Sequence, residues 1–406
     1  MKKTALQLTM HRVKNYGSVL QAYALNHYIN SLPGWECKVI DLLPNVPGVD
    51  IKGNSFLGAF FKSLRLWGTF FRGPSVRALR MVFAPYRRWY EGRFLLSTYA
   101  RIFDRFVDND ILKTRKYETE EELFGAPPDA DVYITGSDQT FNPRFTNGSA
   151  VWFLDFVKPL ADASCMKISY ASSIAASDLA DDMKRVYKRG FANFTKLSFR
   201  ESAGVGLALE LGFHAHHCCD PTLLLTKKEW EKFAAKSTVE IGEKYILVYN
   251  LRYMVDPYPF SAEIERQVQN ELGLKVVYLN GPLVTRPCKN SIHIWKATPH
   301  DFVKLFFGAS FIITDSFHGT AFSLIGANSF LSFVREDAKS DSRVMDLLST
   351  CGAQKHAVAI RSYSNGHLSI NEYASSAVEQ CGLCRFRDLS CQWIINSICG
   401  ISHEHK

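Results

Sequence analysis

The chain has 406 residues, too many for one comfortable hydrophobic core, so two domains are the default expectation. Its 47% hydrophobic and 22% charged residues are those of a globular protein, and no run of 18 or more apolar residues is available for a membrane-spanning helix. The net charge of +8 is concentrated in one segment rather than spread along the chain.

The N-terminus begins with two lysines, but His11, Arg12 and Lys14 end its apolar stretch too early for a signal peptide. It reads as a first strand, Thr4–Thr9, and the chain is expected in the cytoplasm. A polar loop ending Asn15-Tyr16-Gly17-Ser18 leads to a helix over about Val19–Leu32 and a second strand, Cys37–Leu42. That is a βαβ unit with a small-residue turn at the exit of its first strand.

Between Phe56 and Arg105 there are ten Lys/Arg against two acids, interleaved with Trp67, Phe70, Phe71, Tyr86, Trp89 and Tyr90. Such a segment suits packing of the aromatics on the body of the protein with the charges in water. It also makes an anionic membrane surface, on the inner face, a candidate partner. Nucleic acid is not expected as a partner, because no recognisable binding motif accompanies the charge.

Beyond the insertion, strands are predicted at Asp131–Thr135, Lys167–Ala171 and Lys196–Phe199, with helices at Asp178–Gly190 and Ala203–Leu211. Cys218–Leu225, CCDPTLLL, reads as a short strand and turn. The charged amphipathic stretch 226–244 is taken as the crossing between domains. A second α/β series follows, with the strand Tyr245–Asn250, the helix Ala262–Leu272, the strand Lys275–Leu279 and the helix Pro299–Gly308. Then comes FIITDSFHGTAFSLIGA, Phe311–Ala327, a buried strand turning sharply into a helix. The turn carries a capping Asp315-Ser316 pair, His318 and Gly319, so an anion could be held at the helix N-terminus with a histidine beside it. A capped core helix with a structural histidine fits the same pattern.

Strands alternating with helices in both halves predict two doubly wound parallel sheets, in which ligands bind at strand exits. The polar residues there are few: Asn15, Gly17, Ser18; Ser137, Asp138, Gln139, Asn142; Arg200, Glu201; Asp315, Ser316, His318; and Arg343 just before a further helix. Two arginines, a histidine and a helix N-terminus suit a small, highly charged anion. No P-loop, GxSxG or dinucleotide fingerprint is present. Cys381-x-x-Cys384 with Cys391 and Cys399 contains one zinc-type half-site without a matching second half.

NYGSVLQAYAL, YITGSDQTFNP, VWFLDF, ISYASS, SFRESAGV, CCDPTLLLTKKEW and ITDSFHGTAFSLI followed by SRVMDLL occur in this order. The series resembles the polysaccharide pyruvyl transferase family over roughly residues 5–350. The resemblance implies a fold like that of the GT-B glycosyltransferases, with two Rossmann-like domains, a basic helical insertion and a C-terminal helical extension. The expected division is 1–235 (acceptor side, insertion at about 52–110), 240–370 (donor side) and 371–406 (extension). The implied reaction moves a pyruvyl group from phosphoenolpyruvate, as co-substrate, to a sugar, either free or linked to polyprenyl diphosphate. It forms a ketal and releases phosphate, with no metal or other cofactor.

On this basis His318 is expected as general acid and Asp138 as the group that orients or deprotonates the acceptor. Arg200, Arg343, Ser316 and Gly319 are expected at the donor, and Asn15, Gly17, Ser18, Gln139 and Asn142 at the acceptor. Two departures stand out. Some relatives have arginine two residues before the histidine, where this chain has Ser316. Others have tryptophan where Phe141 stands, a position suited to stacking on a sugar. A GT-B glycosyltransferase using a nucleotide sugar is the competing enzyme. The missing arginine would also fit an inactive family member that acts as an assembly scaffold.

Overall fold

The computed structural model describes residues 2–43, 96–158, 165–176, 178–251, 261–279, 287–334, 342–359 and 368–399. Most of the basic aromatic insertion therefore lies outside the described residues, and only its end, residues 96–110, can be placed.

The first sheet has seven strands: β1 (Lys3–Leu8), β2 (Trp35–Leu42), β3 (Lys113–Tyr117), β4 (Val132–Thr135), β5 (Met166–Ser172), β6 (Lys196–Phe199) and β7 (Ala215–His217). Their spatial order is β3-β2-β1-β4-β5-β6-β7, with every pair parallel. The second has six: β8 (Tyr245–Tyr249), β9 (Lys275–Leu279), β10 (Ile292–Ile294), β11 (Phe311–Thr314), β12 (Ser329–Val334) and β13 (Ala357–Ala359). They run β10-β9-β8-β11-β12-β13, again all parallel. The central strands VYIT, YILVY and FIIT are buried along their whole length. Apolar side chains on both faces suit parallel strands covered on both sides by helices.

Among the described residues the helices are α1 (Tyr16–Ser31), α2 (Leu96–Asp110), α3 (Glu120–Gly125), α4 (Pro143–Thr146), α5 (Asp181–Phe191), α6 (Ser202–Glu210), α7 (Lys227–Ala234), α8 (Ser261–Leu272), α9 (Pro299–Gly308), α10 (Phe317–Gly326), α11 (Ser342–Thr350) and α12 (Ala377–Ile398). Three sequence expectations need correction. Helix α1 starts at Tyr16 rather than Val19, because Asn15 caps it through the Gly17 N–H at 2.8 Å. The polar strand β3, KTRKY, lacks the apolar pattern of a strand; among the described residues it lies at the sheet edge and pairs with β2 alone, so its side chains need not be apolar. CCDPTLLL is not a strand: the strand is the preceding Ala215–His217, and Pro221–Leu223 is a 3₁₀ turn capped by Asp220.

The chain leaves the first sheet through α7, whose Thr226–Glu229 capping box fixes its start. Trp230 of this helix is fully buried, and its indole N–H donates to the Thr222 carbonyl at 2.9 Å. Helix α12 brings the chain back to the first sheet. The Cys219 N–H donates to Ser390 Oγ at 2.9 Å, Arg387 Nε donates to the Leu223 carbonyl at 2.6 Å, and Tyr170 lies against Trp393. Helix α2 is tied to the exit of β1 by ion pairs from Arg12 to Asp108 and from Lys14 to Asp104.

Candidate active site

Strand order reverses between β1 and β4 in one sheet and between β8 and β11 in the other. At such switch points the loops on the carboxyl side diverge and leave a crevice. Asn15–Ser18 follow β1, Ser137–Asn142 follow β4, and Asp315–Gly319 follow β11, so three of the sequence motifs flank the two crevices.

The turn after β4 is held from several sides. Asp138 has φ 63°, and its carbonyl accepts from the N–H groups of Thr140 (2.9 Å) and Ser173 (2.8 Å). The Ser137 N–H donates to Gln21 Oε1 at 3.2 Å, while Thr9 Oγ1 donates to the Ser137 carbonyl at 3.2 Å. Gln21 Nε2 in turn donates to Thr9 Oγ1 at 2.8 Å. These bonds fix the Asp138 carboxylate, whose Oδ2 accepts from Ser18 Oγ at 2.6 Å. A non-glycine residue in the left-handed region costs free energy unless its surroundings hold it there, and here they do.

Arg200, at the exit of β6, is 4% exposed and faces two carboxylates. Its Nη1 donates to Asp220 Oδ2 at 2.7 Å, and its Nη2 stands 3.7 Å from Asp138 Oδ1. The ring of Phe317, from the second domain, covers the guanidinium at 4.3 Å. Among the described residues, no protein atom accepts a hydrogen bond from Arg200 Nε or Nη2. Asp220 Oδ1 accepts from both the N–H (3.0 Å) and Oγ1 (2.8 Å) of Thr222, and Ser137 Oγ reaches Oδ2 at 3.3 Å. His318, from the start of α10, brings Nε2 to 3.6 Å from Asp220 Oδ2, an ion-pair distance rather than a hydrogen bond.

Burial alone would push the Asp220 carboxyl up. His318 and Arg200 beside it outweigh burial and hold it well below the usual carboxylate range. Burial likewise disfavours the Arg200 charge, yet Asp220, Asp138 and Glu201 together raise its pKa. A depressed folded value means that the stabilisation from Asp220 is fully present above about pH 4, the unfolded value. It is lost as the pH falls through the folded value. The urea midpoint of the wild-type protein should therefore fall on acidification below pH 4 by more than that of Asp220→Asn.

Gly17 and His318 meet where α1 and α10 begin. A Cβ on Gly17 would lie 1.9 Å from His318 Nδ1, so the imidazole occupies the space that any side chain there would need. The ring thus lies with Nδ1 over the first turn of α1 and Nε2 towards Asp220. Ser316 caps α10 by accepting from the Gly319 N–H at 3.3 Å. Gly319 itself has no room for a Cβ, which would stand 2.2 Å from Thr314 Oγ1. Both residues are engaged in shaping the turn that presents His318.

The remaining expected residues have these places. Asn15 caps α1 and Asn142 caps α4, with Asn142 Nδ2 also donating to Gln139 Oε1 at 2.6 Å. Phe141 is not available for stacking on a sugar: it is fully buried against Phe153, Phe191 and Phe199. The exposed ring nearby is Phe145, on α4. Glu201 does not pair directly with Arg200; its Oε1 accepts from Ser173 Oγ and the N–H groups of Ile174 and Ala175, bracing that loop. Arg343 stands in the first turn of α11, one turn before Asp346, which receives Ser202 Oγ across the domain boundary and pairs with His217 at 3.0 Å. Asp220 and Gln21 join the cluster without a strand-exit motif of their own in the sequence. The signal for Asp220 was a carboxylate standing before proline inside an otherwise apolar run.

Two Rossmann-like parallel sheets that join at a buried, charged cluster on their strand exits define a protein of the GT-B structural class. The Staphylococcus aureus MnaA–UDP co-structure is similar over 100% of this chain and 99% of that one, with TM-score 0.50 and 11% identity. A Methanocaldococcus jannaschii UDP-GlcNAc 2-epimerase in complex with UDP-GlcNAc and UDP (TM-score 0.46, 10% identity, 96% and 99% covered) is also similar. So is Arabidopsis thaliana UGT89C1 complexed with quercetin (0.45, 10%, 98% and 100%). At these identities the likeness concerns the fold. Comparison with curated protein sequences finds no match. The family model for polysaccharide pyruvyl transferases matches residues 15–327, from the cap of α1 to the end of α10, and the chain belongs to that family. Among the described residues, no helix is long and apolar enough to cross a membrane, and no three His, Cys, Asp or Glu side chains cluster as a metal site.

Proposed function

We propose that the protein transfers a pyruvyl group from phosphoenolpyruvate to a sugar of a surface polysaccharide or its lipid-linked precursor. The observation that carries this reading is the position of His318: an imidazole from the second domain, seated on the first turn of α1 and facing the Asp220–Arg200–Asp138 array of the first. Family membership supplies the reaction class.

Phosphoenolpyruvate becomes electrophilic at C2 when C3 is protonated. His318 is the proposed acid for C3, a role in which a positioned histidine contributes roughly 10²–10⁴-fold. An acceptor hydroxyl adds to C2, its proton passing to Asp138. The C2–O bond to phosphate then breaks, and a second hydroxyl of the same sugar closes the ketal. One of the two hydroxyl protons replaces the proton given to C3, and the other leaves with phosphate. For the donor's charge we assign the Arg200 N–H groups that no atom of the described residues accepts, together with Arg343 and the N-terminal turns of α1 and α10. Gln139 and Asn142, on the loop after β4, are assigned to the acceptor with Asn15 and Ser18.

The test is incubation of the protein with labelled phosphoenolpyruvate and a set of lipid-linked and nucleotide-linked sugars. Mass spectrometry would follow ketal gain and a colorimetric assay would follow phosphate. Wild type should modify one acceptor class, and His318→Ala should lose about 10²-fold or more. Consumption of a nucleotide sugar with no ketal product would replace this reading with glycosyl transfer. Equal activity in His318→Ala would remove the histidine from the chemistry.

A further inference from the structure

Asp220 lies outside the residues expected from the sequence, yet it is the most heavily engaged side chain of the cluster. It is 1% exposed, and one carboxylate receives Thr222 N–H, Thr222 Oγ1 and Arg200 Nη1, with Ser137 Oγ, which donates to the Ala171 carbonyl at 2.6 Å, standing 3.3 Å away. Its remaining direction is towards His318. His318 Nε2 has no hydrogen-bond partner among the described residues and is buried; the nearest counter-charge is Asp220 Oδ2 at 3.6 Å. The opposite nitrogen, Nδ1, lies over Gly17, in the space that a side chain there would need. Asp220 is therefore fixed by the first domain and aimed at a ring carried by the second.

We propose that Asp220 is the positioning residue for His318. Its fixed carboxylate keeps the proton on Nε2 and leaves Nδ1 as the atom that gives and takes a proton over the first turn of α1. This rests on the pyruvyl-transfer reading for its kinetic consequence, but not for its geometry. Three donors on one carboxylate leave it little freedom to follow the ring, so it acts as a reference point against which the imidazole is oriented. Arg200 balances the Asp220 charge and Asp138 stands on the far side of Arg200, so the same guanidinium links the two carboxylates of the site. A protein whose domains had moved apart would separate His318 from Asp220, and the acid would be oriented only when the domains meet.

Asp220→Asn keeps the shape and the bonds from Thr222 but removes the charge. In this variant kcat should fall about 10²-fold with the KM for phosphoenolpyruvate little changed, and Asp220→Glu should recover part of the loss. In a His318→Ala background, Asp220→Asn should add little further loss, because the residue acts through the ring. Nitrogen-15 NMR of imidazole-labelled protein, without substrate, supplies the independent reading. Wild type should show His318 protonated at Nε2, and Asp220→Asn should show a mixture of tautomers. A wild-type ring protonated at Nδ1 alone overturns the proposal, as does full additivity of the two substitutions. If the wild type transfers no pyruvyl group but its NMR tautomer responds to Asp220→Asn, the pyruvyl-transfer reading fails and the positioning role stands.

Discussion

Replacing Arg200 with methionine is expected to lower the unfolding free energy by about 3–5 kcal/mol, the cost of stranding a buried charge once its partner is removed. Methionine preserves most of the volume, so the loss would come from charge. Asp220 would lose the 2.7 Å donor on Oδ2, and Asp138 would lose the cation that stands 3.7 Å from its Oδ1. Phe317 would keep an apolar neighbour in place of the guanidinium that it now covers. Lysine is a poor rescue, because its single nitrogen cannot point at two carboxylates as Nη1 and Nη2 do. The check is a urea titration followed by circular dichroism, with Asp220→Asn added to the methionine variant. The double substitution should recover part of the loss, since one stranded charge has gone. An unchanged midpoint in Arg200→Met would mean that the buried pair contributes nothing.

The second large effect is expected from a single methyl group. Gly17→Ala should reduce turnover about 10²-fold, the order of loss seen when a reacting group is displaced by 1 Å. The new Cβ would fall 1.9 Å from Nδ1 of His318, an impossible contact, and the first turn of α1 is fixed by the Asn15 cap and by Ser18 on Asp138. The ring is the part that has to move. Stability should suffer less, about 1–3 kcal/mol for overpacking. Steady-state kinetics beside a urea titration separates the two, and wild-type turnover in Gly17→Ala would show that the ring does not occupy this seat during the reaction.

Much of the architecture was legible where local chemistry and burial agree. Lys196–Phe199, Lys275–Leu279, Pro299–Gly308 and the strand before Asp315 were read with the boundaries that the structure shows. Apolar β-formers bounded by turn residues, or a Thr-Pro helix start, leave little alternative. Three of the missed strands lie at sheet edges. KTRKY, AHH and AVA are polar or very short, and they become strands because a neighbour already offers an unpaired edge.

The site divides in the same way. His318, Asp138 and Arg200 could be found because strand exits are where an α/β protein places its chemistry. Asp220 acquires its meaning from Arg200, Ser137, Thr222 and His318, three of which are distant in the chain. Phe141 was misjudged for a related reason. An aromatic beside a polar loop can face solvent or core, and the cluster with Phe153, Phe191 and Phe199 decided for the core.

The return of α12 to the first domain has a mechanical consequence. The two lobes are joined by two connections of backbone rather than one, at the segment after α7 and along α12. The start of α12 pairs with His356 and the Leu324 carbonyl of the second lobe, and its later turns bond to Cys219 and Leu223 of the first. A single tether would allow the lobes to swivel in any direction, but a pair restricts them to rocking about the line through both. Rocking of that kind would bring His318 back to the same place over Gly17. Cutting the chain before Ala377 would remove that second covalent link and leave α12 held to the second lobe by contacts such as Glu379–His356 and Gln380–Leu324, while leaving every side chain of the charged cluster in the protein.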